Sequence, residues 1–136
     1  MRPVLLDTNA YTAFKLGEPS MIDVINHAET IAISPIVLGE LLSGFDGGNR
    51  AVKNREELQQ FLSSSRIGLY PVTSDTANFY SQIYVALKRK GNPIPTNDMW
   101  IAAQSMEHGC MLCTYDKHFQ AIDGLLTGNT CASFII

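Results

Sequence analysis

Four short apolar runs are spaced along the chain, with stretches between them that are long enough for one or more helices. The runs cover residues 4–6, 30–33, 67–72 and 110–114. Continuous apolar runs of this length are typical of strands that are buried on both faces of a parallel sheet. Parallel neighbours need a crossover connection, usually a helix. The pattern therefore predicts an α/β fold, with a central parallel β-sheet of four to five strands flanked by helices on both faces.

The segments between these runs carry helix start and stop signals. Thr8 or Asn9 can cap a helix after the first run, Pro35 suits the first turn of another, and Gly91 suits a helix end. The predicted helices cover residues 8–16, 19–25, 35–45, 49–65, 74–90, 96–108 and 119–122, and a last apolar run covers 133–136.

The size and composition favour one compact domain over residues 1–136. The chain has 136 residues, 46% of them hydrophobic, which is enough for a sizeable core. Its apolar runs are far shorter than the roughly 20 residues that a membrane-spanning helix needs. The N-terminus has no apolar segment of signal-peptide length. We therefore expect a cytoplasmic protein with no membrane partner.

The cysteines and histidines do not form a strong metal-binding pattern. Three cysteines is an odd count, so a disulfide scaffold is not predicted. Cys110, Cys113, His108 and His118 are close in sequence, as in a zinc site. Both cysteines fall in a predicted strand, however, where they point to opposite faces and cannot close one tetrahedral site. We interpret the cysteines as reduced core residues, and His27, His108 and His118 as structural or exposed.

Three aspartates fall where an α/β sheet usually binds its ligands. In an open parallel sheet the ligand crevice lies beyond the carboxyl ends of the strands. Asp7 directly follows the first strand, Asp116 follows the run at 110–114, and Asp98 occupies the first turn of a helix. Each also has a simpler explanation, since Asp7 and Asp98 could be helix caps and Asp116 a turn residue. Together they predict a carboxylate cluster at one edge of the sheet.

Glu40 interrupts the apolar part of the helix that begins at Pro35. Leu38, Leu41 and Leu42 surround it, and no basic residue lies one turn away. A buried lone carboxylate is costly unless a cation compensates its charge. The simpler alternative is a solvent-facing glutamate on an amphipathic helix. Function becomes the stronger interpretation if this helix reaches the edge where the aspartates meet.

Four segments, in order along the chain, carry a specific combination of residues. They are Asp7-Thr8-Asn9, residues 34–41 with Gly44, residues 97–103 and residues 114–119. In this order and spacing, and in a chain of this size, they resemble the PIN-domain nucleases, and in particular the VapC-type toxins of bacterial and archaeal toxin–antitoxin pairs. Any one segment is a weak match, but the four together cover nearly the whole chain.

The resemblance implies a PIN-like fold and a metal-dependent endoribonuclease. The family's acidic quartet, which binds Mg²⁺ or Mn²⁺, matches Asp7, Glu40, Asp98 and Asp116 in this sequence. Thr114 matches a position that commonly supports the site. The resemblance further implies an RNA substrate, a homodimer and a cognate VapB-like antitoxin. In the chemistry it implies, an activated water attacks the phosphodiester, so no histidine base is required.

Other polar residues lie close to these segments. Asn9 and Asn97 are candidates to orient a neighbouring carboxylate or a water through their amides. The candidate contacts to RNA phosphates are Lys15, Lys88, Arg89, Lys90 and Lys117. Lys88 to Lys90 have an alternative role, because cations near a helix C-terminus interact favourably with the helix dipole.

The net charge of −3 argues at first against a nucleic-acid partner. If four of the 13 acidic residues bind metal, however, nine acidic residues remain against ten basic ones, which gives +1 before the cation is counted. The overall charge therefore does not decide whether the chain binds RNA.

Three alternative functions remain open. A phosphoacceptor receiver module is also a small α/β domain with an acidic pocket, but it needs an adjacent acidic pair near the first strand, and here Thr8 follows Asp7. A non-catalytic module that binds RNA or protein would not need all four acids. A stand-alone RNA-processing nuclease would share the site, whereas the short chain favours a toxin.

Overall fold

The computed structural model describes residues 2–134. Its strands are β1 (Val4–Leu6), β2 (Ile31–Ile33), β3 (Ile67–Leu69), β4 (Met111–Cys113) and β5 (Thr127–Gly128). Its α-helices are α1 (Thr8–Lys15), α2 (Pro19–His27), α3 (Pro35–Asp46), α4 (Ala51–Leu62), α5 (Ser74–Lys90), α6 (Thr96–Glu107) and α7 (Cys131–Phe134). A 3₁₀ helix covers Lys117–Ala121, between β4 and β5.

The strands form one parallel sheet in the order β3-β2-β1-β4-β5. In its register, Val4 of β1 lies beside Ile31 on one side and Met111 on the other. The chain runs outward from β1 to β2 and β3, and then returns through α5 and α6 to place β4 on the opposite side of β1. The connections that leave β1 and β4 therefore diverge, which opens a crevice at the carboxyl ends of these two strands. The predicted α/β fold with a central parallel sheet is confirmed.

Helices cover both faces of the sheet because successive strand residues point to opposite sides. Leu5 and Leu112 pack into a large core with residues of α3, α5 and α6. Val4, Leu6 and Cys113 pack into a second core with residues of α2. All five are fully buried, and burial of a Val or Leu side chain stabilises the fold by about 1.5–3 kcal/mol. The two cores fix the strands, and so fix the edge where the loops after β1 and β4 begin.

The structure differs from the prediction mainly near the C-terminus. β5 was not predicted, because Thr127 and Gly128 form no apolar run, and yet they pair with Leu112 and Cys113 of β4. The last apolar run at 133–136 is partly helical, since α7 ends at Phe134, and residues 135 and 136 lie outside the described residues. β3 is shorter than the predicted run at 67–72.

Two of the three cysteines are core residues as predicted, whereas Cys131 is only half-buried, at the edge of the second core. Cys110 lies in the larger core and Cys113 in the second, on opposite sides of the sheet. Burial raises the pKa of the Cys110 thiol to about 11 and that of Cys113 to about 12, which keeps both protonated at neutral pH.

Within residues 2–134, no helix is both long enough and hydrophobic enough to cross a bilayer.

Candidate active site

Asp7 lies where β1 ends and α1 begins. It is the N-cap of α1, and its Oδ1 accepts a hydrogen bond of 2.8 Å from the backbone N–H of Thr8. Aspartate is favoured at this position because the first N–H groups of a helix have no partner within the helix. The residue is only 5% exposed. The first strand therefore ends in a carboxylate that is almost shielded from water.

Thr114 connects Asp7 to the end of β4. Its Oγ1 donates a hydrogen bond of 2.7 Å to Oδ2 of Asp7 and accepts one of 3.0 Å from the backbone N–H of Asp116. Asp116 in turn caps the 3₁₀ helix, because its Oδ1 accepts from the backbone N–H of His118 at 3.3 Å. One threonine thus holds two of the predicted carboxylates at adjacent strand ends.

Glu40 reaches the same crevice from the middle of α3. Ser34 and Pro35 start this helix directly after β2, and Oγ of Ser34 accepts from the N–H of Ile36 at 3.0 Å. Oε1 of Glu40 then accepts a hydrogen bond of 2.6 Å from Oγ1 of Thr8. Glu40 is therefore half-buried and directed inward, and it is not the solvent-facing residue of the simpler interpretation. The sequence predicts Thr8 only as a possible helix cap and does not predict its hydrogen bond to Glu40.

Asp98 enters the site from the first turn of α6, after the extended segment that contains Pro93 and Pro95. Its Oδ2 is in hydrogen-bond contact with Nε2 of His118. The same nitrogen lies 3.0 Å from Oδ2 of Asp116. His118, which the sequence indicates is structural or exposed, is half-buried, and its ring joins two of the predicted acidic residues. The signal available in sequence was its position two residues after Asp116.

The four carboxylates share one groove and act on one another electrostatically. Burial is the main cause that raises the pKa of Asp7, and the charges of Asp98 and Glu40 raise it further, while hydrogen bonds from Thr114 and Thr8 lower it. Burial also raises the pKa of Asp98, which is lowered by His118 and raised again by the neighbouring acids. Ionised carboxylates gathered in this way repel one another unless a cation neutralises them.

The donor set fits a divalent metal ion. Asp7, Glu40, Asp98 and Asp116 all line a groove of about 800 Å³, together with His118. Hard cations such as Mg²⁺ and Mn²⁺ take oxygen ligands, above all carboxylates. Ligand atoms of Asp98, Asp116 and His118 also lie within 4.8 Å of one another. Four carboxylates, one buried and three half-buried, in an oxygen-rich lining are what a cation site at this edge requires.

The two asparagines occupy different positions at the groove. Asn9 lines it, and its Oδ1 accepts a hydrogen bond of 3.1 Å from the backbone N–H of Tyr115, so it helps to hold the turn that leads to Asp116. Asn97 also lines the groove, next to Asp98, with its side chain exposed.

The predicted RNA-binding cations are not gathered at the groove. Nζ of Lys15 lies 2.5 Å from Oε2 of Glu57. Lys90 donates to the carbonyl oxygen of Ala121 and to Asp123, at 2.8 Å each. Lys88 and Arg89 are exposed on the last turn of α5, and Lys117 is exposed beside Asp116. None of the five predicted cations is among the described residues that line the acidic groove.

A second groove adjoins the acidic one, and it contains the predicted Lys15 together with Arg50 and Lys53, which were not predicted. It lies between α1, α3 and α4, and the two grooves share Thr12 and Leu16 in their linings. Three cations and one carboxylate line it, which gives a net charge of +2. They are Lys15, Arg50, Lys53 and Glu57. In the part of the chain that the structure describes, Arg50 and Lys53 form no ion pair. We call this surface the basic groove.

Known proteins are similar to this chain in sequence and in architecture. A family model described as the PIN domain matches residues 4–125. Ribonuclease VapC2 of Rickettsia felis is 30% identical over 130 residues, which are 92% of this chain and 96% of the relative. Ribonuclease VapC5 of Mycobacterium tuberculosis is 26% identical over 120 residues, which are 88% of this chain and 87% of the relative.

Solved structures give the same result. The crystal structure of VapBC2 from Rickettsia felis, bound to a DNA fragment from their promoter, contains a chain with a TM-score of 0.82 and 28% identity, covering 94% of this chain and 98% of that one. For the DNA-bound VapBC of Salmonella typhimurium the TM-score is 0.83 at 26% identity, with the same coverage. The match to the family model spans all four segments on which the resemblance rested. The chain belongs to the PIN domain family.

Proposed function

We propose that this chain is a metal-dependent endoribonuclease and the toxin of a VapBC-type toxin–antitoxin pair. The observation that carries the proposal is the convergence of Asp7, Glu40, Asp98 and Asp116 on one groove at the carboxyl ends of β1 and β4. The similar curated proteins named above are called ribonucleases, and the similar solved structures are VapBC complexes. The proposed reaction is hydrolysis of an RNA phosphodiester bond.

The four carboxylates would hold Mg²⁺ or Mn²⁺ through oxygen ligands. A divalent cation in such a site lowers the pKa of water and stabilises charge on the phosphorus and on the departing oxygen. The contribution of the chain is to fix the carboxylates before the substrate arrives, because charges that are already oriented need no reorganisation during the reaction. Thr114 fixes Asp7 and Thr8 fixes Glu40, each through a short hydrogen bond.

Two asparagines support this site in the proposal. The contact of Asn9 with the N–H of Tyr115 holds the turn before Asp116, so Asn9 acts as a positioning residue. Asn97 exposes its amide at the groove next to Asp98, where it is available to hydrogen-bond a phosphate oxygen or a water.

We propose that the RNA backbone follows the basic groove away from the carboxylates. Phosphates need cations nearby, and Arg50 and Lys53 are exposed and form no close ion pair within residues 2–134. The two grooves meet at Thr12 and Leu16, so a strand can pass from one to the other. Of the cations predicted from sequence, Lys15 lines the basic groove, where it pairs with Glu57, and Lys117 directly follows Asp116.

The proposed partners are RNA, a cognate VapB-like antitoxin and a second copy of the chain. The similar VapBC structures support the antitoxin, because each contains a partner protein of that kind. A homodimer is expected from the family, and light scattering on the purified chain tests it, since a monomer at micromolar concentration would contradict it. The proposed substrate places the site of action in the cytoplasm.

A cleavage assay tests the function. A fluorescent single-stranded RNA is incubated with the antitoxin-free chain in Mg²⁺, in Mn²⁺ and in EDTA. We expect cleavage that requires metal and that falls by more than about 100-fold in Asp7→Asn, since even residues that only support metal ligands contribute about 10–100-fold. Asp23→Asn is the matched control, because Asp23 is an exposed aspartate on α2 and lies outside the acidic groove.

The outcomes separate the possible functions. Folded protein that binds RNA and metal without cutting would contradict the nuclease and favour a binding module. Cleavage without growth arrest, when the chain is expressed alone in bacteria, would favour a stand-alone RNA-processing enzyme over a toxin. Growth arrest that Asp7→Asn abolishes and Asp23→Asn retains supports the toxin.

A further inference from the structure

The imidazole of His118 meets two carboxylates at a single atom. Nε2 contacts Oδ2 of Asp98, and it lies 3.0 Å from Oδ2 of Asp116. Within residues 2–134, His118 is the only basic side chain within 4 Å of either carboxylate. The acidic site therefore contains a nitrogen atom whose position relative to both carboxylates needs a chemical explanation.

An ordinary hydrogen bond explains only half of this arrangement. An imidazole N–H points in one direction, in the plane of the ring, so it makes one well-aligned bond and not two. Two carboxylate oxygens and one nitrogen that converge on the same space are instead the arrangement of ligands around an ion. Ligand atoms of Asp98, Asp116 and His118 lie within 4.8 Å of one another, which is close enough for a single ion to bind all three side chains.

The local backbone holds His118 in place for such a role. Asp116 caps the 3₁₀ helix through Oδ1, which leaves its Oδ2 directed at the imidazole. The next residue, Phe119, is fully buried and anchors the 3₁₀ helix to the larger core. Asp116 and His118 are thus fixed relative to each other by a turn of helix, while Asp98 approaches from α6.

We propose that His118 is a nitrogen ligand of the divalent cation held by Asp98 and Asp116, and that it makes the site prefer a first-row transition-metal ion such as Mn²⁺ over Mg²⁺. The inference rests on the proposed function, since it concerns the same groove, and it adds one ligand and a metal preference to the four carboxylates. To hold the ion, His118 would offer the lone pair of its Nε2, and Asp98 and Asp116 would each offer a carboxylate oxygen.

The chemical basis of the preference is the nitrogen. Mg²⁺ is a hard ion that keeps to oxygen ligands and retains several of its waters. Imidazole is a better ligand for first-row transition metals, whose affinities for a given site rise from Mn²⁺ toward Cu²⁺. A site made only of carboxylates discriminates weakly between Mg²⁺ and Mn²⁺. A site that also contains His118 gains binding energy mainly with Mn²⁺ and with the first-row divalent ions that follow it in the series toward Cu²⁺.

Pulsed electron paramagnetic resonance of bound Mn²⁺ tests the ligand directly. The untagged, antitoxin-free full chain is used, because a histidine tag would add nitrogen ligands. Spectra are compared for wild type, for wild type labelled with ¹⁵N-histidine, and for His118→Gln and His108→Gln. His108 is the matched control, because it follows the last turn of α6, about 15 Å along the helix from Asp98, where its ring packs edge to face against Tyr70.

We expect nitrogen coupling to Mn²⁺ in wild type and in His108→Gln, and none in His118→Gln. The ¹⁵N label should change the coupling pattern without any mutation, so this result does not depend on how a variant folds. Calorimetric titrations with Mn²⁺ and with Mg²⁺ complete the test. In His118→Gln the Mn²⁺ affinity should fall by about tenfold or more, whereas the Mg²⁺ affinity should change little.

Two results would overturn the inference, and they differ in what they say about the proposed function. If Mn²⁺ binds wild type but shows no nitrogen coupling, His118 only pairs with the carboxylates, and the metal-dependent nuclease stands. If calorimetry detects no Mn²⁺ binding to folded wild type, both the ligand and the proposed metal site are wrong.

Discussion

The hydroxyl of Thr114 donates a 2.7 Å hydrogen bond to Oδ2 of Asp7, across 107 positions of sequence. Oγ1 of Thr114 also accepts a hydrogen bond of 3.0 Å from the backbone N–H of Asp116. β1 and β4 are adjacent in the sheet, so the residues after them meet although the chain between them forms most of the domain. One hydroxyl therefore fixes the relative positions of the loops that carry two of the proposed metal ligands.

Replacement of Thr114 by valine tests this connection, because valine keeps the shape of the side chain and removes the hydroxyl. Asp7 is buried and would lose a donor to its carboxylate, which should lower the free energy of unfolding by about 1–3 kcal/mol. Activity should fall by about 10–100-fold, the usual effect of removing a group that supports metal ligands. Urea unfolding and kcat/KM measure the two effects. Thr114→Ser keeps the hydroxyl, and an equal loss in that variant would assign the effect to packing.

Thr8 has the corresponding role for Glu40. Its Oγ1 donates to Oε1 of Glu40 at 2.6 Å, whereas its backbone N–H makes the separate contact with Asp7. In Thr8→Val, Glu40 loses its orientation and Asp7 keeps its cap, so we expect activity to fall by about 10–100-fold with a smaller change in stability than in Thr114→Val. Single-turnover cleavage rates and thermal melting measure this difference.

Thr12→Val is the matched control for Thr8, because Thr12 lies one turn further along α1 and lines the same groove. Its hydroxyl donates to the backbone carbonyl of Thr8 and to none of the four carboxylates. If Thr12→Val lost as much activity as Thr8→Val, the hydrogen bond to Glu40 would not explain the loss.

The sheet and the positions of the acidic residues could be predicted from the sequence because they depend on local patterns. The apolar run that contains Leu5 requires burial on both faces, and Asp7 follows it immediately. β5 could not be predicted in this way, because Thr127 and Gly128 are polar or small and are held in the sheet by their pairing with β4. A two-residue strand has no periodicity of its own, so its existence depends on the neighbouring strand.

The residues missed at the site share one physical reason, which is that their roles depend on contacts between distant parts of the chain. Thr8 meets Glu40 across 32 positions, and His118 meets Asp98 across 20. No local pattern distinguishes such residues from an ordinary helix cap or an exposed ring. The basic groove is similar, since Arg50 and Lys53 approach the site only through the packing of α4 beside α1 and α3.

The stability of the metal-free chain should depend on pH through Asp7. Its pKa is raised in the folded state from an ordinary value of 3.8, so folding holds the proton more tightly. The stabilisation that protonated Asp7 contributes is therefore fully present at pH values below its ordinary pKa of 3.8. It is lost as the pH rises through the higher pKa of the folded state. Asp7→Asn cannot ionise. Its amide oxygen can accept the N–H of Thr8, and its amide N–H can donate to Oγ1 of Thr114, which reverses the direction of that hydrogen bond. In EDTA at neutral pH it should melt at a higher temperature than wild type, and the difference should vanish near pH 3.

Asp46→Asn is the control, because the pKa of Asp46 is lowered in the folded state, whereas that of Asp7 is raised. The hydrogen bond and charge of Arg55 lower the pKa of Asp46, so the contribution of this exposed residue is present at neutral pH and is lost as pH falls. Asp46→Asn should not raise the melting temperature at neutral pH. If Asp7→Asn proved less stable than wild type at neutral pH in EDTA, burial of the Asp7 carboxylate would not carry the cost inferred from its raised pKa.

The basic groove and the end of α5 are two competing surfaces for RNA, and salt dependence distinguishes them. Each phosphate contact on a single strand contributes about 0.7 to the slope of log affinity against log salt concentration. Binding is measured in an Asp7→Asn background, which prevents cleavage. Replacement of both Arg50 and Lys53 by glutamine should weaken RNA binding and lower the slope by about 1.4 if each cation contacts one phosphate.

Replacement of Lys88 and Arg89 by glutamine removes the same charge from the end of α5, so it controls for net charge. These residues are exposed on α5 and lie outside both the acidic and the basic groove. The two double variants should therefore have different salt slopes, although their net charges are equal. A reduced slope for the Lys88 and Arg89 variant alone would move the RNA path to α5. Equal reductions in both would indicate that the strand is attracted by overall charge and not guided by the basic groove.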